Sequence, residues 1–124
     1  MKDGKHVILY IDDDRDFLTA VRAILESSGY VMVEAPSAEE GLKVYKESNP
    51  DFVIVDLMME EVDAGNSFVK ELKALGNKAP IYMLSSVGDT FTMSTDYSAM
   101  GLSGVFQKPI APSTLLSVLK AKLK

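Results

Sequence analysis

The fold is decided by residues 7–14, which read VILYIDDD, a compact apolar run that ends abruptly in three aspartates. An apolar run of this length is typical of a strand that is buried on both faces of a sheet. Residues 52–56 read FVIVD and repeat the pattern, stopping at Asp56. The sequence therefore predicts two buried strands, each with an acidic residue at its carboxyl end.

Amphipathic stretches separate the apolar runs and predict helices. Apolar residues between positions 17 and 25 recur at helical spacing, and Gly29 ends this first helix. Ser37 and Glu40 have the spacing of a capping box at the start of a second helix. Further strands are expected at residues 31–35, 81–84 and 105–106, and further helices at residues 68–75, within 91–100, and from Pro112 or Ser113 onward.

Strands that alternate with helices predict a parallel sheet with helices on both faces, because parallel neighbours need crossover connections. Right-handed crossovers then give an α/β, doubly wound open sheet in one domain over residues 1–124. The helix within residues 91–100 is required by this topology, although its composition, rich in Ser, Thr and Met, favours a helix poorly. In such sheets the functional site lies beyond the carboxyl ends of the strands.

The composition narrows the classes of function. The chain has 124 residues, 47% of them hydrophobic and 25% charged, and a net charge of −5, as expected of one globular domain. An acidic balance argues against nucleic acid or an anionic membrane as the main partner. The absence of cysteine excludes disulfides, thiolate zinc sites and a cysteine nucleophile. No apolar run resembles a membrane span or a signal peptide, so we expect a cytoplasmic protein.

Chemically active side chains follow the predicted strands. Asp12 and Asp13 end the first strand, Asp56 the third, Ser85 the fourth, and Lys108 the fifth. Because the ends of parallel strands share one edge of the sheet, these groups are expected to converge. Grouped carboxylates repel one another, and a hard divalent cation such as Mg²⁺ relieves that repulsion. A carboxylate beside a metal, a hydroxyl and an ammonium is suited to receiving a phosphoryl group.

Four segments together resemble the receiver domain of two-component response regulators. They are ILYIDDD at residues 8–14, DFVIVDLMM at 51–59, PIYMLSS at 80–86, and FQKP at 106–109 after Gly101. The resemblance covers essentially the whole chain. It implies a flavodoxin-like (βα)5 sheet with strand order 2-1-3-4-5.

The resemblance also implies the roles of the strand-end residues. Asp56 would accept a phosphoryl group from a phosphohistidine on a sensor kinase or a phosphotransfer protein. Mg²⁺ would be held by Asp12, Asp13, Asp56 and the backbone carbonyl of Met58. Ser85 would bind a phosphoryl oxygen and take part in switching, and Lys108 would pair with the phosphoryl group. Such a domain is a signalling module that catalyses only its own phosphorylation and dephosphorylation.

The sequence departs from the family pattern around the acceptor and near the end of the sheet. Glu60 replaces the usual proline and Ala64 the usual glycine of the loop after the acceptor. Val105 stands where the family has the aromatic residue that moves on activation. An unusual output surface predicts an unidentified downstream protein or a homodimer formed through residues 85–124.

Two other functions remain open. The altered loop and the missing aromatic residue would suit an interaction module of the same fold whose acceptor is not used. Asp12-x-Asp14 after an apolar strand also matches the start of haloacid-dehalogenase-type phosphatases. That motif is short, Arg15 follows it instead of Gly-Thr, and Asp14 alone is better explained as a helix cap.

Overall fold

The computed structural model describes residues 4–56, 70–86, 104–108 and 110–123, excluding the side chains of Ala38, Ser85, Ser86, Val105, Gln107 and Lys108. Five strands and three complete helices lie in these ranges, with a further helical segment at residues 70–74. In chain order the elements are β1 (Val7–Ile11), α1 (Arg15–Ser27), β2 (Val31–Ala35), α2 (Ala38–Ser48), β3 (Phe52–Asp56), β4 (Ile81–Ser86), β5 (Gly104–Lys108) and α3 (Pro112–Lys122).

The strands form one parallel sheet in the order β2-β1-β3-β4-β5, which confirms the predicted fold class and strand order. Strand β1 lies between β2 and β3, with Ile11 level with Ala35 on one side and Val55 on the other. The switch in strand order therefore lies at β1 and β3, and their carboxyl ends are adjacent.

The core has two layers, one on each face of the sheet, because alternate residues of a strand point to opposite faces. All residues of β1 and β3 are buried. One layer joins the sheet to α1 and α3, and the other joins it to α2 and the segment 70–74. The first layer includes Ile8, Tyr10, Leu25, Phe52, Ile54 and Leu115, and the second includes Leu9, Ile11, Val53, Val55, Leu72 and Met83.

Helix boundaries follow the local signals of the sequence. The Ser37 hydroxyl accepts a hydrogen bond from the Glu40 amide at 3.2 Å, so the predicted N-cap of α2 is confirmed. Asn49 ends α2 with a positive φ of 48°, a backbone conformation that Asn tolerates better than most residues. Gly29 and Gly76 have positive φ values after α1 and after the segment 70–74.

The third predicted helix is confirmed only in part. Residues 70–74 are helical and Leu72 is fully buried, whereas Leu75 is 48% exposed and is not part of the core face. Phe68 and Val69, which were expected on the same face, lie outside the described residues, as does the helix expected within residues 91–100.

Three aromatic rings stack across neighbouring strands on the face that packs against α1 and α3. The ring of Tyr82 in β4 lies 5.1 Å from that of Phe52 in β3 and 4.8 Å from that of Phe106 in β5, centroid to centroid. Gly104 of β5 is level with Tyr82, and a Cβ atom added there would lie 2.4 Å from Cε2 of the tyrosine ring. The stack therefore requires a residue without a side chain at position 104.

Gly104→Ala is expected to lower the free energy of unfolding by about 1–3 kcal/mol, the usual cost of overfilling a packed core. The Tyr82 ring cannot move aside easily, because Phe52 and Phe106 flank it. Urea unfolding of the wild type and the variant measures the loss. In a Tyr82→Leu background the same substitution should cost less than half as much; an equal cost would show that the ring is not the obstacle.

Candidate functional site

Asp12 and Asp56 extend two adjacent strands at the carboxyl edge of the sheet. Asp56 is the last residue of β3, and Asp12 directly follows Ile11, whose neighbour in β3 is Val55. The Asp12 amide still bonds to the Ala35 carbonyl at 3.1 Å, so the backbone of Asp12 remains part of the sheet. Both residues are buried, with 0% and 1% of their surface exposed.

Asp13 completes a group of three carboxylates. Unlike Asp12 and Asp56, Asp13 is exposed, because it lies in the turn between β1 and α1. One oxygen from each of the three side chains lies within 4.8 Å of the others. All three potential ligand atoms are oxygens, and that of Asp13 is open to solvent. This combination suits a hard cation that keeps several waters, such as Mg²⁺.

Among the described residues, the Tyr10 hydroxyl and the Asp14 amide donate hydrogen bonds to the carboxylate of Asp12. Oδ2 accepts from the Tyr10 hydroxyl at 2.5 Å, and Oδ1 accepts from the Asp14 backbone amide at 2.9 Å. Since a buried carboxylate without donors is costly, these two bonds explain how Asp12 is tolerated in the interior.

Tyr10 stays a hydrogen-bond donor over the physiological pH range. Burial raises the pKa of the Tyr10 hydroxyl far above its usual value, and the hydrogen bond to Asp12 and the charges of Asp12, Asp56 and Asp14 raise it further. The hydroxyl is therefore protonated, and it donates its proton to Asp12 Oδ2.

Asp14 serves the helix that follows it. Its Oδ1 accepts from the amides of Asp16 at 2.9 Å and Phe17 at 3.4 Å, so Asp14 is the N-cap of α1, as expected. Asp13 directly precedes this N-cap and so lies next to the positive end of the α1 dipole, which favours negative charge there. The second acid of the Asp12-x-Asp14 motif is occupied as a cap, which weakens the phosphatase alternative.

The other predicted site residues are described only in part. The backbone of Ser85 lies in β4, one position beyond Leu84, which is level with Asp56. The backbone of Lys108 ends β5, level with Ser86. The structure thus brings both strand ends to the edge that holds Asp12 and Asp56. Met58, Glu60 and Ala64 lie outside the described residues.

Phe106 does not take the place of the missing aromatic residue at position 105. It is 4% exposed and its ring stacks on Tyr82 in the core layer that packs against α1 and α3.

A cavity of about 560 Å³ lies at the opposite, amino-terminal edge of the sheet. His6 and Asp51 are part of its wall, with the His6 Nδ1 atom 3.7 Å from Asp51 Oδ2. Asp51 also accepts a hydrogen bond from the Val7 amide at 2.8 Å, which joins the starts of β1 and β3. Within the described residues, the only group of three metal-ligating side chains is at the other edge, at Asp12, Asp13 and Asp56.

Sequence reasoning missed Tyr10 as part of this site and assigned it to the apolar run of β1. A signal was present. Tyr10 is the one residue of β1 with a polar tip, and it precedes Asp12 by two positions, so both point to the same face. Two residues span about 6.7 Å along a strand, a distance that a tyrosine side chain can bridge.

The sequence matches a known family over most of its length. The family model described as the response regulator receiver domain matches residues 8–120. The chain belongs to the response regulator receiver family. It is therefore a signalling domain of two-component systems and not a classical enzyme. Receiver domains interact with histidine kinases or phosphotransfer proteins.

Curated relatives support this assignment. The chemotaxis protein CheY of Bacillus subtilis is 31% identical over 95% of this chain and 98% of its own length. The alkaline phosphatase synthesis transcriptional regulatory protein PhoP of the same species is 30% identical over 94% of this chain, but over only 48% of PhoP. The chain spans about half the length of several other curated relatives that it matches.

Solved structures share the fold of this receiver domain. The chemotaxis protein CheY4 of Vibrio cholerae superimposes with a TM-score of 0.85 at 28% identity, covering 97% of this chain and 100% of that one. A receiver domain protein of Methanospirillum hungatei gives a TM-score of 0.85 at 25% identity, covering 97% and 94%. None of the helices among the described residues is long and apolar enough to cross a bilayer.

Asp14→Ala is expected to lower the free energy of unfolding by about 1 kcal/mol, because α1 loses its N-cap. Asp14→Asn keeps an oxygen at the same place and should retain most of that stability. Affinity for Mg²⁺ should change by less than about five-fold in both variants, since an exposed charge contributes below about 1 kcal/mol. Thermal unfolding and calorimetric titration measure the two effects. A large loss of Mg²⁺ binding would show that Asp14 is a ligand rather than a cap.

Proposed function

We propose that this receiver domain is phosphorylated on Asp56 by a phosphohistidine partner in a reaction that depends on Mg²⁺. The observation that carries the proposal is the grouping of Asp12, Asp13 and Asp56, whose oxygens approach within 4.8 Å at the adjacent ends of β1 and β3. Such a group is suited to a divalent cation beside a carboxylate nucleophile.

Asp56 is the proposed nucleophile because β3 holds it at the strand end, in reach of the other two acids. One Asp56 oxygen attacks phosphorus, a phosphorus–oxygen bond forms, and the phosphorus–nitrogen bond to the donor imidazole breaks. The departing imidazole nitrogen takes up a proton, so the donor histidine is restored. Burial of Asp56 excludes bulk water from one side of the acceptor.

Asp12 and Asp13 are the proposed cation ligands, together with Asp56 and the Met58 carbonyl. Asp12 is fixed by two hydrogen bonds, whereas exposed Asp13 leaves an opening towards solvent through which a donor can approach. When bound, Mg²⁺ offsets the charge of the transferring phosphoryl oxygens.

Ser85 and Lys108 complete the proposed pocket from β4 and β5. The Ser85 hydroxyl would donate to a phosphoryl oxygen, and the Lys108 ammonium would pair with the phosphoryl charge. The registers of β3, β4 and β5, which bring these strand ends to one edge, support both roles.

Phosphorylation would signal by changing the surface presented to an unidentified downstream protein. We place this reaction in the cytoplasm, where the domain would meet the phosphohistidine of its sensor kinase. A homodimer through residues 85–124 is the alternative output. A non-phosphorylated interaction module is the competing function, and the intact group of three acids argues against it. The phosphatase alternative rests on the Asp12-x-Asp14 motif, and Asp14 is engaged as the N-cap of α1.

Incubation with acetyl phosphate and Mg²⁺ should add the mass of one phosphoryl group to the intact protein. The adduct should be absent in Asp56→Asn and when EDTA removes the cation. Asp16→Asn is the matched control, because Asp16 is an exposed acid in the first turn of α1 outside the carboxylate group. Wild-type protein that stays unmodified, and whose spectra do not change with beryllofluoride and Mg²⁺, would favour the interaction module.

Mg²⁺ should stabilise the fold, since it binds the folded state and relieves repulsion among the three acids. At 100 times its Kd the gain is about 2.7 kcal/mol in the free energy of unfolding. Denaturant unfolding with and without Mg²⁺ measures it. Asp13→Asn should lose most of this gain, while Asp16→Asn should keep it; an equal gain in both would place the cation elsewhere.

A further inference from the structure

One of the three clustered carboxylates, that of Asp12, accepts a hydrogen bond from Tyr10, a residue of the hydrophobic core. We propose that Tyr10 is a positioning residue of the cation site, whose hydroxyl fixes Asp12 and thereby sets the affinity for Mg²⁺ and its preference over Ca²⁺. This inference rests on the proposed function, because it assumes that Asp12 takes part in holding the cation.

The first support is the contact between Tyr10 and Asp12. The two residues are both 0% exposed, and the hydroxyl lies 2.5 Å from Oδ2. A hydrogen bond in the low-dielectric interior is electrostatically stronger than one in water. In a buried place the loss of such a partner costs more than at the surface, since no bulk water replaces it.

The second support is the rigidity of the donor. Tyr10 lies in the interior strand β1, in the core layer with Ile8, Leu25 and Ile54, so its ring is packed on the sheet. A tyrosine side chain has two rotatable bonds before its hydroxyl, and close packing fixes both. The position of the hydroxyl relative to the carboxyl end of β1 is thus fixed.

The third support is that the two donors constrain the orientation of the Asp12 carboxylate. The Asp14 amide fixes Oδ1 from the turn, and Tyr10 fixes Oδ2 from the core. Because each oxygen has its own donor, rotation of the carboxylate about the Cβ–Cγ bond is restricted, so Asp12 does not need to reorient when a cation arrives. Groups behind a metal ligand commonly act in this way, and their removal costs 10–100-fold in metal affinity.

The expected selectivity follows from the geometry that each cation demands. Mg²⁺ needs near-ideal octahedral placement of its ligands at about 2.1 Å, whereas Ca²⁺ accepts irregular arrangements at 2.3–2.6 Å. Loosening Asp12 should therefore weaken Mg²⁺ more than Ca²⁺. If Tyr10 only filled space in the core, its substitution would weaken the binding of Mg²⁺ and of Ca²⁺ equally.

The test compares Tyr10→Phe with wild type and with Tyr45→Phe by calorimetric titration of Mg²⁺ and of Ca²⁺. Tyr45 is the matched control, because its hydroxyl donates to Asn77 Oδ1 at 2.8 Å near the opposite edge of the sheet. Tyr10→Phe should weaken Mg²⁺ roughly ten-fold and Ca²⁺ less than three-fold. Tyr45→Phe should leave both affinities unchanged. Equal Mg²⁺ affinity in Tyr10→Phe and wild type, or an equal loss for the two cations, overturns the inference.

A second measurement needs no substitution at Tyr10 and covers the case in which Tyr10→Phe does not fold. In protein labelled with ¹³C-tyrosine, the hydroxyl proton of Tyr10 should give a far-downfield NMR signal that persists when Mg²⁺ saturates the site. Loss of that signal on saturation would show that the hydroxyl no longer holds Asp12 when the cation is bound, and would overturn the inference.

The same samples separate this inference from the proposed function. If wild type binds Mg²⁺ and is phosphorylated on Asp56 while Tyr10→Phe binds as wild type does, the role of Tyr10 alone fails. If wild type binds no Mg²⁺, the cation site is wrong and both proposals fail. If wild type binds Mg²⁺ but acetyl phosphate does not modify it, the proposed phosphorylation fails and the Mg²⁺-to-Ca²⁺ comparison still decides the role of Tyr10.

Discussion

Repulsion among three carboxylates at one edge of the sheet is the constraint that the rest of the site must offset. Parallel pairing of β1 with β3 places Asp12 and Asp56 side by side, and both are buried. Burial of like charges raises the free energy of the folded state unless each charge has partners. Among the described residues, the Tyr10 hydroxyl and the Asp14 amide donate to the Asp12 carboxylate. A bound cation would lower the repulsion among the three acids further.

The sheet gives this edge its fixed geometry. A shift of one residue in any strand would move each of its side chains to the opposite face of the sheet, because their direction alternates along the strand. The stack of Phe52, Tyr82 and Phe106 ties β3, β4 and β5 together below the site, and Gly104 leaves room for it. The relative heights of the strand ends that carry Asp56, Ser85 and Lys108 are therefore set by apolar packing in the core.

Much of this arrangement could be predicted from local patterns. Apolar runs that stop at Asp12 and Asp56 gave the two central strands, because buried parallel strands are uniformly apolar. Ser37 and Asp14 were identifiable as caps from residue type and spacing alone. The strand order came from the resemblance to receiver domains, since periodicity does not encode which strands are neighbours.

What local patterns could not give depends on tertiary contacts. Leu75 lies within the predicted helix 68–75, yet it follows the helical segment 70–74 and is 48% exposed, because the sequence does not tell where the last turn leaves the sheet. In the sequence, Tyr10 resembles any other core residue of β1. Its role becomes visible only in the structure, where its hydroxyl donates to Asp12. The stacked ring of Tyr82 likewise explains Gly104 only once β4 and β5 are in register.

The bond between Tyr10 and Asp12 also restricts the order in which substitutions can accumulate at this edge. Replacing Asp12 by an apolar residue strands the tyrosine hydroxyl inside the core, and replacing Tyr10 first removes a donor from a buried carboxylate. Either single step is costlier than the pair together, because an unsatisfied buried polar group carries the full desolvation penalty. Loss of the cation site by successive substitutions would therefore pass through a variant of lower folding stability, unless both residues changed at once. The Tyr10 hydroxyl thus disfavours evolutionary loss of the site.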